Sequence, residues 1–206
     1  MDAADWDARY TATAELEWGA EPNRWVAAEL ADLPPGRACD LGAGEGRNAL
    51  WLASRGWEVT AVDFSGAALD KGRPLAEARS LPVSWVRADV RRYAVEARAY
   101  DAVVLAYLHL SGAERRTVVR AAAEGLAPAG VLIVVGHDTT NVAEGVGGPQ
   151  DTAVLFTPED VVADLAALPG LAVERAERVR RTVQRDEGPR EAIDALVRVR
   201  RTPTPK

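Results

Sequence analysis

Three glycines at alternate positions, Gly42, Gly44 and Gly46, follow Asp40 at the end of a short apolar segment. Glycine has no Cβ atom, so a loop of this kind can turn sharply and bring its backbone close to a ligand. The residues after the loop have helical character, and the first turn of a helix offers free N–H groups to a negatively charged group. The pattern predicts a ligand-binding loop between a strand and a helix.

Two further carboxylates, Asp63 and Asp89, end the next two predicted strands. Asp63 stands about 20 residues after the loop, where a carboxylate can accept hydrogen bonds from both hydroxyls of a ribose. An acceptor at Asp89 can bind the exocyclic amine of adenine. The standard dinucleotide fingerprint has its third glycine where this chain has Arg47, whereas here that glycine falls one position earlier. The set predicts a nucleotide-containing cofactor and leaves a nicotinamide cofactor open.

The two histidines of the chain, His109 and His137, follow predicted strands four and five. Because ligands bind at the carboxyl edge of open α/β sheets, both imidazoles are expected near a bound ligand. A neutral imidazole accepts a proton near neutral pH, so both are candidate catalytic bases. The alternatives are a structural or an exposed role. Together with Asp138 they could ligate a metal, but the sequence supplies no independent geometry for this, and no metal is predicted.

Short apolar runs alternate with longer helical segments, which is typical of a parallel α/β sheet in one domain. Strands are predicted over residues 37–41, 57–63, 83–89, 100–106, 131–136, 171–183 and 192–200. Helices are predicted over residues 46–55, 66–79 and 113–126, and after the capping residue Thr157. No helical segment separates the last two strands, so they are expected to pair as an antiparallel hairpin.

Two segments are expected to cover the carboxyl edge of this sheet. Residues 1–33 are helical by composition and are predicted to form a cap, with Pro22 in the first turn of a helix that runs to Leu33. Residues 137–156 lack a regular pattern, and loops of this length in compact domains are usually functional, so they are predicted to form a loop over the site. The arginines of the first hairpin strand are expected to form a solvated face; they are Arg175, Arg178, Arg180, Arg181 and Arg185.

Length and charge restrict the class of protein. The 206 residues suit one domain, and the net charge of −6 argues against nucleic acid as a partner. No apolar run reaches the roughly 18 residues that span a bilayer, so no membrane partner is predicted.

The acidic first ten residues do not resemble a signal peptide, and cytoplasmic residence is expected. The single cysteine, Cys39, excludes an internal disulfide and is expected to be a small buried hydrophobe. The oligomeric state is left open.

The pattern Asp40-x-Gly42-x-Gly44-x-Gly46, with Asp63 and Asp89, resembles the cofactor motifs of class I S-adenosylmethionine-dependent methyltransferases. The resemblance covers essentially the whole chain. It implies a Rossmann-like three-layer sandwich, with a seven-stranded, mostly parallel sheet and a C-terminal antiparallel hairpin. It further implies one methyltransferase domain over residues 1–206 that binds S-adenosylmethionine and transfers its methyl group by in-line displacement.

A narrower resemblance lies in Gly46-Arg47-Asn48 and in the short N-terminal cap. Both are similar to the small tellurite-resistance and thiopurine-methyltransferase-like branch. That resemblance implies a soft acceptor, such as a thiol, a selenide or a metalloid oxyanion. The alternative acceptor is a hydroxyl or amine of a small molecule, for which His109 or His137 would act as the base.

The family resemblance also assigns cofactor contacts. The methionine part would lie against Gly42, Ala43 and Gly44 near Asp40, and beside Ala106 and Tyr107; the ribose would bind Asp63, and the adenine would lie between Phe64, Asp89 and Val90. In the cap, Arg9 is expected to pair with the cofactor carboxylate, and Tyr10 to form a wall beside the methyl group. The alternative is that the cap aromatics only pack the cap on the body.

The acceptor is expected to be a small molecule, because the charge is negative and the covering segments are short and aromatic. Two other functions stay open at this point. An NAD-dependent oxidoreductase is opposed by the position of Gly46 and by the final hairpin. A non-catalytic S-adenosylmethionine-binding module is opposed by the complete set of cofactor residues.

Overall fold

The computed structural model describes residues 2–185 and 188–203, and its centre is one sheet of seven strands. The strands are β1 (Arg37–Leu41), β2 (Glu58–Asp63), β3 (Val83–Arg87), β4 (Tyr100–Ala106), β5 (Leu126–His137), β6 (Leu171–Arg185) and β7 (Gly188–Arg201). Their order across the sheet is β3-β2-β1-β4-β5-β7-β6. Strands β1 to β5 are parallel, whereas β7 is antiparallel to β5 and to β6, which confirms the predicted sheet and its terminal hairpin.

The point at which the strand order reverses lies between β1 and β4. Cys39 of β1 pairs with Thr60 of β2 on one side and with Val103 of β4 on the other. After β1 the chain forms β2 and β3 on one side of β1, and it then returns to form β4 on the other side. Such a reversal opens a crevice outside the carboxyl ends of the two strands, which is where open α/β sheets bind ligands.

Helices cover both faces of the sheet. They are α1 (Ala3–Thr11), α2 (Arg24–Leu30), α3 (Arg47–Ser54), α4 (Gly66–Glu77), α5 (Gly112–Glu124), α6 (Asn141–Glu144) and α7 (Pro158–Leu165). Successive strand residues alternate between two cores: Val103 and Leu105 pack with α5 and α7, and Ala102 and Val104 pack with α2 and α3. The predicted three-layer sandwich is therefore confirmed.

Several predicted boundaries are wrong by a few residues. Residues 12–23 are not helical, so the cap is two helices rather than one helical segment, and α2 begins at Arg24 because the Asn23 side chain accepts its first free N–H groups. Strand β3 ends at Arg87, two residues before Asp89. The segment 137–156 contains α6 and a short 3₁₀ helix, Thr152–Val154, and is not wholly irregular.

None of the helices within the described residues combines the length and the apolar character that a membrane crossing requires.

Candidate functional site

The glycine loop lies at the carboxyl end of β1 and is fixed by the end of β2. The N–H groups of Gly42 and Ala43 donate to the carbonyl oxygen of Val62 at 2.8 and 3.0 Å. The N–H of Gly44 donates to Oδ2 of Asp63 at 2.8 Å, and the N–H of Ser65 donates to Oδ1 at 2.9 Å. Asp63 therefore sets the shape of the loop.

Positive backbone angles and close neighbours explain why the loop needs glycine. Gly42 and Gly44 have φ of +77° and +56°, in the left-handed region that side chains disfavour. A Cβ atom at Gly44 would stand 2.9 Å from the hydroxyl of Tyr10, and one at Gly42 would stand 3.1 Å from Leu108. The loop thus forms a cradle between the cap and the residues after β4, and Tyr10 lies over Gly44; its role beside the methyl group stays a prediction.

The Asp40 carboxyl lies at the base of this cradle without a partner. Its exposure is 1%, and neither carboxylate oxygen has a hydrogen-bond partner among the described residues. Burial raises the pKa of Asp40 to about 7, although the nearby Arg47 guanidinium opposes this shift. A buried carboxyl without partners is costly, so it favours a ligand that brings a positive charge or N–H donors to this point. The methionine part of S-adenosylmethionine has both, and the cradle fits it.

The cap is anchored to the body by specific hydrogen bonds. The Ser65 hydroxyl and the N–H of Ala67 donate to Oδ1 of Asp7 at 2.5 and 3.1 Å, which joins α1 to the beginning of α4. Nη1 of Arg47 donates to the carbonyl oxygen of Trp18 at 3.3 Å, and the N–H of Asn23 donates to Asn48 at 2.8 Å. Gly46-Arg47-Asn48, which carried the narrower resemblance, thus holds the cap in place.

Two other residues predicted to contact the cofactor, Arg9 and Asp89, have protein partners. Nε of Arg9 donates to Glu17 at 2.8 Å, and its guanidinium lies over the rings of Trp6 and Trp18. Asp89 lies in the turn after β3 and is paired with Arg91 at 2.8 Å. Phe64 and Val90 are partly buried at the ends of β2 and β3, and Ala106 is partly buried at the end of β4. The cofactor roles of these residues stay predictions.

A second polar cluster lies beside the cradle, around Asp194 of β7. This carboxylate is fully buried, and its Oδ2 accepts hydrogen bonds from the Tyr107 hydroxyl at 2.6 Å, from Nε of Arg181 at 2.8 Å and from Nε1 of Trp25 at 3.3 Å. Tyr107 has φ of +57°, which is unfavourable for a tyrosine and persists only where its surroundings fix it. Strained residues of this kind concentrate at functional sites.

The two histidines meet at the edge of this cluster. Their rings are nearly parallel, with centroids 5.4 Å apart, and the Tyr107 ring lies 5.0 Å from that of His137. Burial lowers the pKa of both imidazoles to about 4. The Arg181 charge further lowers the pKa of His137, and His137 further lowers the pKa of His109. Both rings are therefore neutral at pH 7 and can accept a proton. The structure brings the two candidate bases together, and their catalytic role stays a prediction.

The expected solvated face of the first hairpin strand is wrong at Arg181. Its side chain is 24% exposed and is bonded to Asp194 and to the Tyr107 hydroxyl. Sequence reasoning also missed Trp25 and Asp194 as members of the cluster. A single carboxylate inside the apolar run Ala192–Leu196 was the one available signal, because a buried charge requires partners.

The segment that follows β5 lies against His137. A Cβ atom at Gly148 would stand 2.5 Å from Cδ2 of this ring, so Gly148 packs directly on the imidazole. The Asn141 amide holds the segment in place: it donates to the carbonyl oxygen of Gly147 at 2.8 Å and accepts from the N–H of Ile193 at 2.7 Å. Within the part of the chain that the structure describes, no group of three or more His, Cys, Asp or Glu side chains is placed to hold a metal ion.

Comparisons with known proteins match part of the chain to a family of domains. Residues 38–130 match the family described as "Methyltransferase domain". The match runs from β1 to the beginning of β5, a little under half of the chain. The matched residues include the glycine loop, Asp63 and Asp89. Solved structures with this fold include an S-adenosylmethionine-dependent methyltransferase of Methanosarcina mazei and a methyltransferase of Burkholderia thailandensis with bound S-adenosylhomocysteine. The family match opposes the nicotinamide alternative.

Individual relatives agree with this match. Demethylmenaquinone methyltransferase of Thermus thermophilus is 35% identical over 125 residues, which are 59% of this chain and 54% of the relative. The chain spans about half the length of the curated relatives it matches. A structure from a study of the conversion of a disulfide bond into a thioacetal group during echinomycin biosynthesis has a TM-score of 0.70 and 23% identity, and the match covers 97% of this chain and 92% of that chain.

The fold of TehB from Haemophilus influenzae is also similar. Its TM-score is 0.70 at 18% identity, and the match covers 86% of this chain and 61% of TehB. At this identity the likeness concerns the fold alone. The narrower tellurite-resistance and thiopurine-methyltransferase-like branch is therefore not confirmed for this chain, and the soft acceptor that the branch implies stays a prediction.

Replacing Asp63 with alanine is expected to weaken binding of S-adenosylhomocysteine about ten- to a hundredfold, because hydrogen bonds to a charged group contribute roughly 1.5–3 kcal/mol. Calorimetric titration measures the change. The matched control is Asp101→Ala, since Asp101 also accepts a backbone N–H, that of Arg37, but at the opposite edge of the sheet. Equal affinity of a folded Asp63→Ala variant and the original chain would remove Asp63 from the site.

The buried histidines are expected to make the protein less stable in acid. Their folded pKa values, about 4, lie below the unfolded value of about 6.5, so the unfolded chain binds more protons as pH falls between these values. The free energy of unfolding should then decrease by about 2 kcal/mol per histidine between pH 7 and pH 5. Asp40 contributes to stability with the opposite dependence on pH. Burial raises its folded pKa to about 7, so its contribution is largest in acid and is lost as the pH rises through about 7.

Urea denaturation at pH 7 and pH 5 tests the contribution of the histidines. The His109→Gln variant should lose less stability between the two pH values than the original chain does. An identical pH dependence in both proteins would show that His109 is not a buried neutral imidazole.

Proposed function

We propose that this protein transfers a methyl group from S-adenosylmethionine to a small-molecule acceptor. The observation that carries the proposal is that residues 106–109 join the glycine cradle to the polar cluster around Asp194. Leu108 lies against the glycine loop at Gly42, while Tyr107 and His109, on either side of it, belong to the polar cluster. A cofactor in the cradle and an acceptor beside the histidines would thus share one crevice.

Each part of the chain has a distinct role in this reaction. Bound S-adenosylmethionine supplies a methyl group on a sulfonium centre, which is activated without help from the protein. Asp40 binds the positively charged part of the cofactor, and Asp63 binds its ribose while holding Gly44 in place. The protein then acts mainly by alignment of the acceptor, by exclusion of water and, where the acceptor carries a proton, by removal of that proton.

Coverage of the crevice supports a small acceptor. Tyr10 lies over Gly44 from one side, and Gly148 lies on the His137 ring from the other. Both covering segments are anchored by hydrogen bonds, at Asp7 and at Asn141. A folded macromolecule would have to displace these contacts to reach the crevice, which favours a small acceptor. The net charge of −6 also opposes binding to a phosphate backbone.

Transfer of a labelled methyl group from S-adenosylmethionine tests the proposal. The acceptor mixtures would be phenols and alcohols, amines, thiols, metalloid salts, RNA and protein, each offered separately. Label in a small-molecule mixture is the expected result. Label chiefly in RNA or protein would contradict the small-molecule acceptor. Tight binding of S-adenosylhomocysteine without transfer to any mixture would instead support a non-catalytic binding module.

A further inference from the structure

Two buried atoms without hydrogen bonds face each other at the centre of the polar cluster. They are Nδ1 of His137 and Oδ1 of Asp194, which lie 3.4 Å apart. Neither atom has a hydrogen-bond partner among the described residues. Unpaired buried polar atoms are rare, and hydrogen bonds at catalytic sites are often long in the free protein and shorten when a ligand binds. The pair is therefore placed to form one hydrogen bond.

The other carboxylate oxygen is already fully occupied. Oδ2 of Asp194 accepts from Tyr107, Arg181 and Trp25, which come from the end of β4, from β6 and from α2. These three donors prevent rotation of the carboxylate. The remaining oxygen is directed towards His137 by the antiparallel register, which pairs His137 with Asp194 across β5 and β7.

We propose that Asp194 is a positioning residue that holds His137 as the Nδ1–H tautomer, so that Nε2 accepts the proton of an acceptor with an O–H or N–H group. The inference rests on the proposed function and narrows it to one base and one class of acceptor. No hydrogen bond within the described chain engages Nε2 of His137, and this atom is not among those sealed from solvent.

His137 is favoured over His109 by its distance to a carboxylate, although the Arg181 guanidinium opposes protonation of His137 and the Asp194 charge also acts on His109. The groups that face His137 are His109 and Tyr107 from β4 and its following residues, Arg181 from β6 and Asp194 from β7. Of these, Asp194 alone supplies a negative charge at ion-pair distance, which can stabilise the imidazolium that forms. Within the described residues, no carboxylate lies at ion-pair distance from His109, and its Nε2 is buried without a partner.

The class of acceptor follows from the need for a base. A thiol has a pKa of about 8.5 and reacts as the thiolate, whereas a phenol, an alcohol or a protonated amine keeps its proton at neutral pH. For a hydroxyl acceptor, oxygen forms a bond to the methyl carbon and its proton passes to Nε2. The electron pair of the broken carbon–sulfur bond stays on sulfur, which becomes a neutral thioether.

Nitrogen NMR of the imidazoles tests the tautomer without any turnover. The chain has two histidines, so His109→Gln leaves one imidazole to observe. We expect the proton of neutral His137 on Nδ1. A proton on Nε2 in this protein would overturn the inference, whatever the activity, and this measurement does not depend on the folding of any Asp194 variant.

Kinetics of Asp194→Asn provide the second readout. We expect kcat for a hydroxyl or amine acceptor to fall about a hundredfold, with KM little changed, and the His137 proton to move towards Nε2. The matched control is Asp138→Asn, because Asp138 is equally buried and is paired with Arg178 at 3.0 Å as Asp194 is with Arg181. The control should lose stability without a change of tautomer.

The two proposals fail in different ways. If the original chain transfers methyl groups but Asp194→Asn keeps both kcat and the tautomer, the inference about Asp194 is wrong and the proposed function stands. If the Nδ1–H tautomer is found but the original chain methylates none of the acceptor mixtures, the proposed function is wrong. Equal methylation of thiols and phenols by Asp194→Asn would contradict the class of acceptor.

Discussion

Replacing Gly44 with valine is expected to abolish measurable binding of S-adenosylhomocysteine, which means a loss of at least about a hundredfold. The backbone at this residue has φ of +56°, which a β-branched side chain strongly disfavours. The new Cβ atom would also stand 2.9 Å from the hydroxyl of Tyr10, inside the cradle. Calorimetric titration measures the affinity, and circular dichroism checks that the sheet is retained.

The control for this variant separates backbone strain from loss of the cradle. Gly56 also has a positive φ, +90°, but it lies in the turn before β2, at the opposite edge of the sheet. Gly56→Val should lower stability and keep the affinity for S-adenosylhomocysteine. If Gly44→Val binds as tightly as the original chain, the glycine loop is not the cofactor site.

Replacing His137 with glutamine is expected to lower kcat about a hundredfold or more for a hydroxyl or amine acceptor, because it removes the neutral base. Affinity for S-adenosylhomocysteine should change little, since the ring lies beside the cradle and not in it. A thiol acceptor that arrives as the thiolate should be methylated at nearly the original rate. Steady-state kinetics with one acceptor of each kind distinguish these results.

His109→Gln provides the comparison for the His137 variant. Its ring stacks on His137 at 5.4 Å but has no carboxylate partner, so we expect a loss of about tenfold or less. Two outcomes would be inconsistent with the assigned base. One is a larger loss in His109→Gln than in His137→Gln, and the other is an equal loss for thiol and hydroxyl acceptors in His137→Gln.

The fold could be predicted because its signals are local. Apolar runs of strand length between helical segments give a parallel sheet, and the lack of a helix between the last two runs gives the hairpin. Boundaries were less accurate, since they depend on single capping contacts. Asn23 rather than Pro22 begins the helix of the cap, and pairing with β4 extends β5 back to Leu126.

The two halves of the site differed in how far they could be predicted. The glycine loop, Asp40 and Asp63 lie next to each other in strand–loop–helix units, so their spacing along the chain carries the information. The second cluster joins residues that are far apart in sequence: the Trp25–Asp194 hydrogen bond spans 169 positions. It depends on the register of β5 with β7, which composition and periodicity do not determine.

Calorimetric titration of the unmodified chain with S-adenosylhomocysteine and, separately, with NAD tests the central claim most directly, because it needs no knowledge of the acceptor. The orphaned carboxyl of Asp40 and the glycine cradle predict saturable binding of S-adenosylhomocysteine at one site and no binding of NAD. Binding of NAD without binding of S-adenosylhomocysteine would contradict the account.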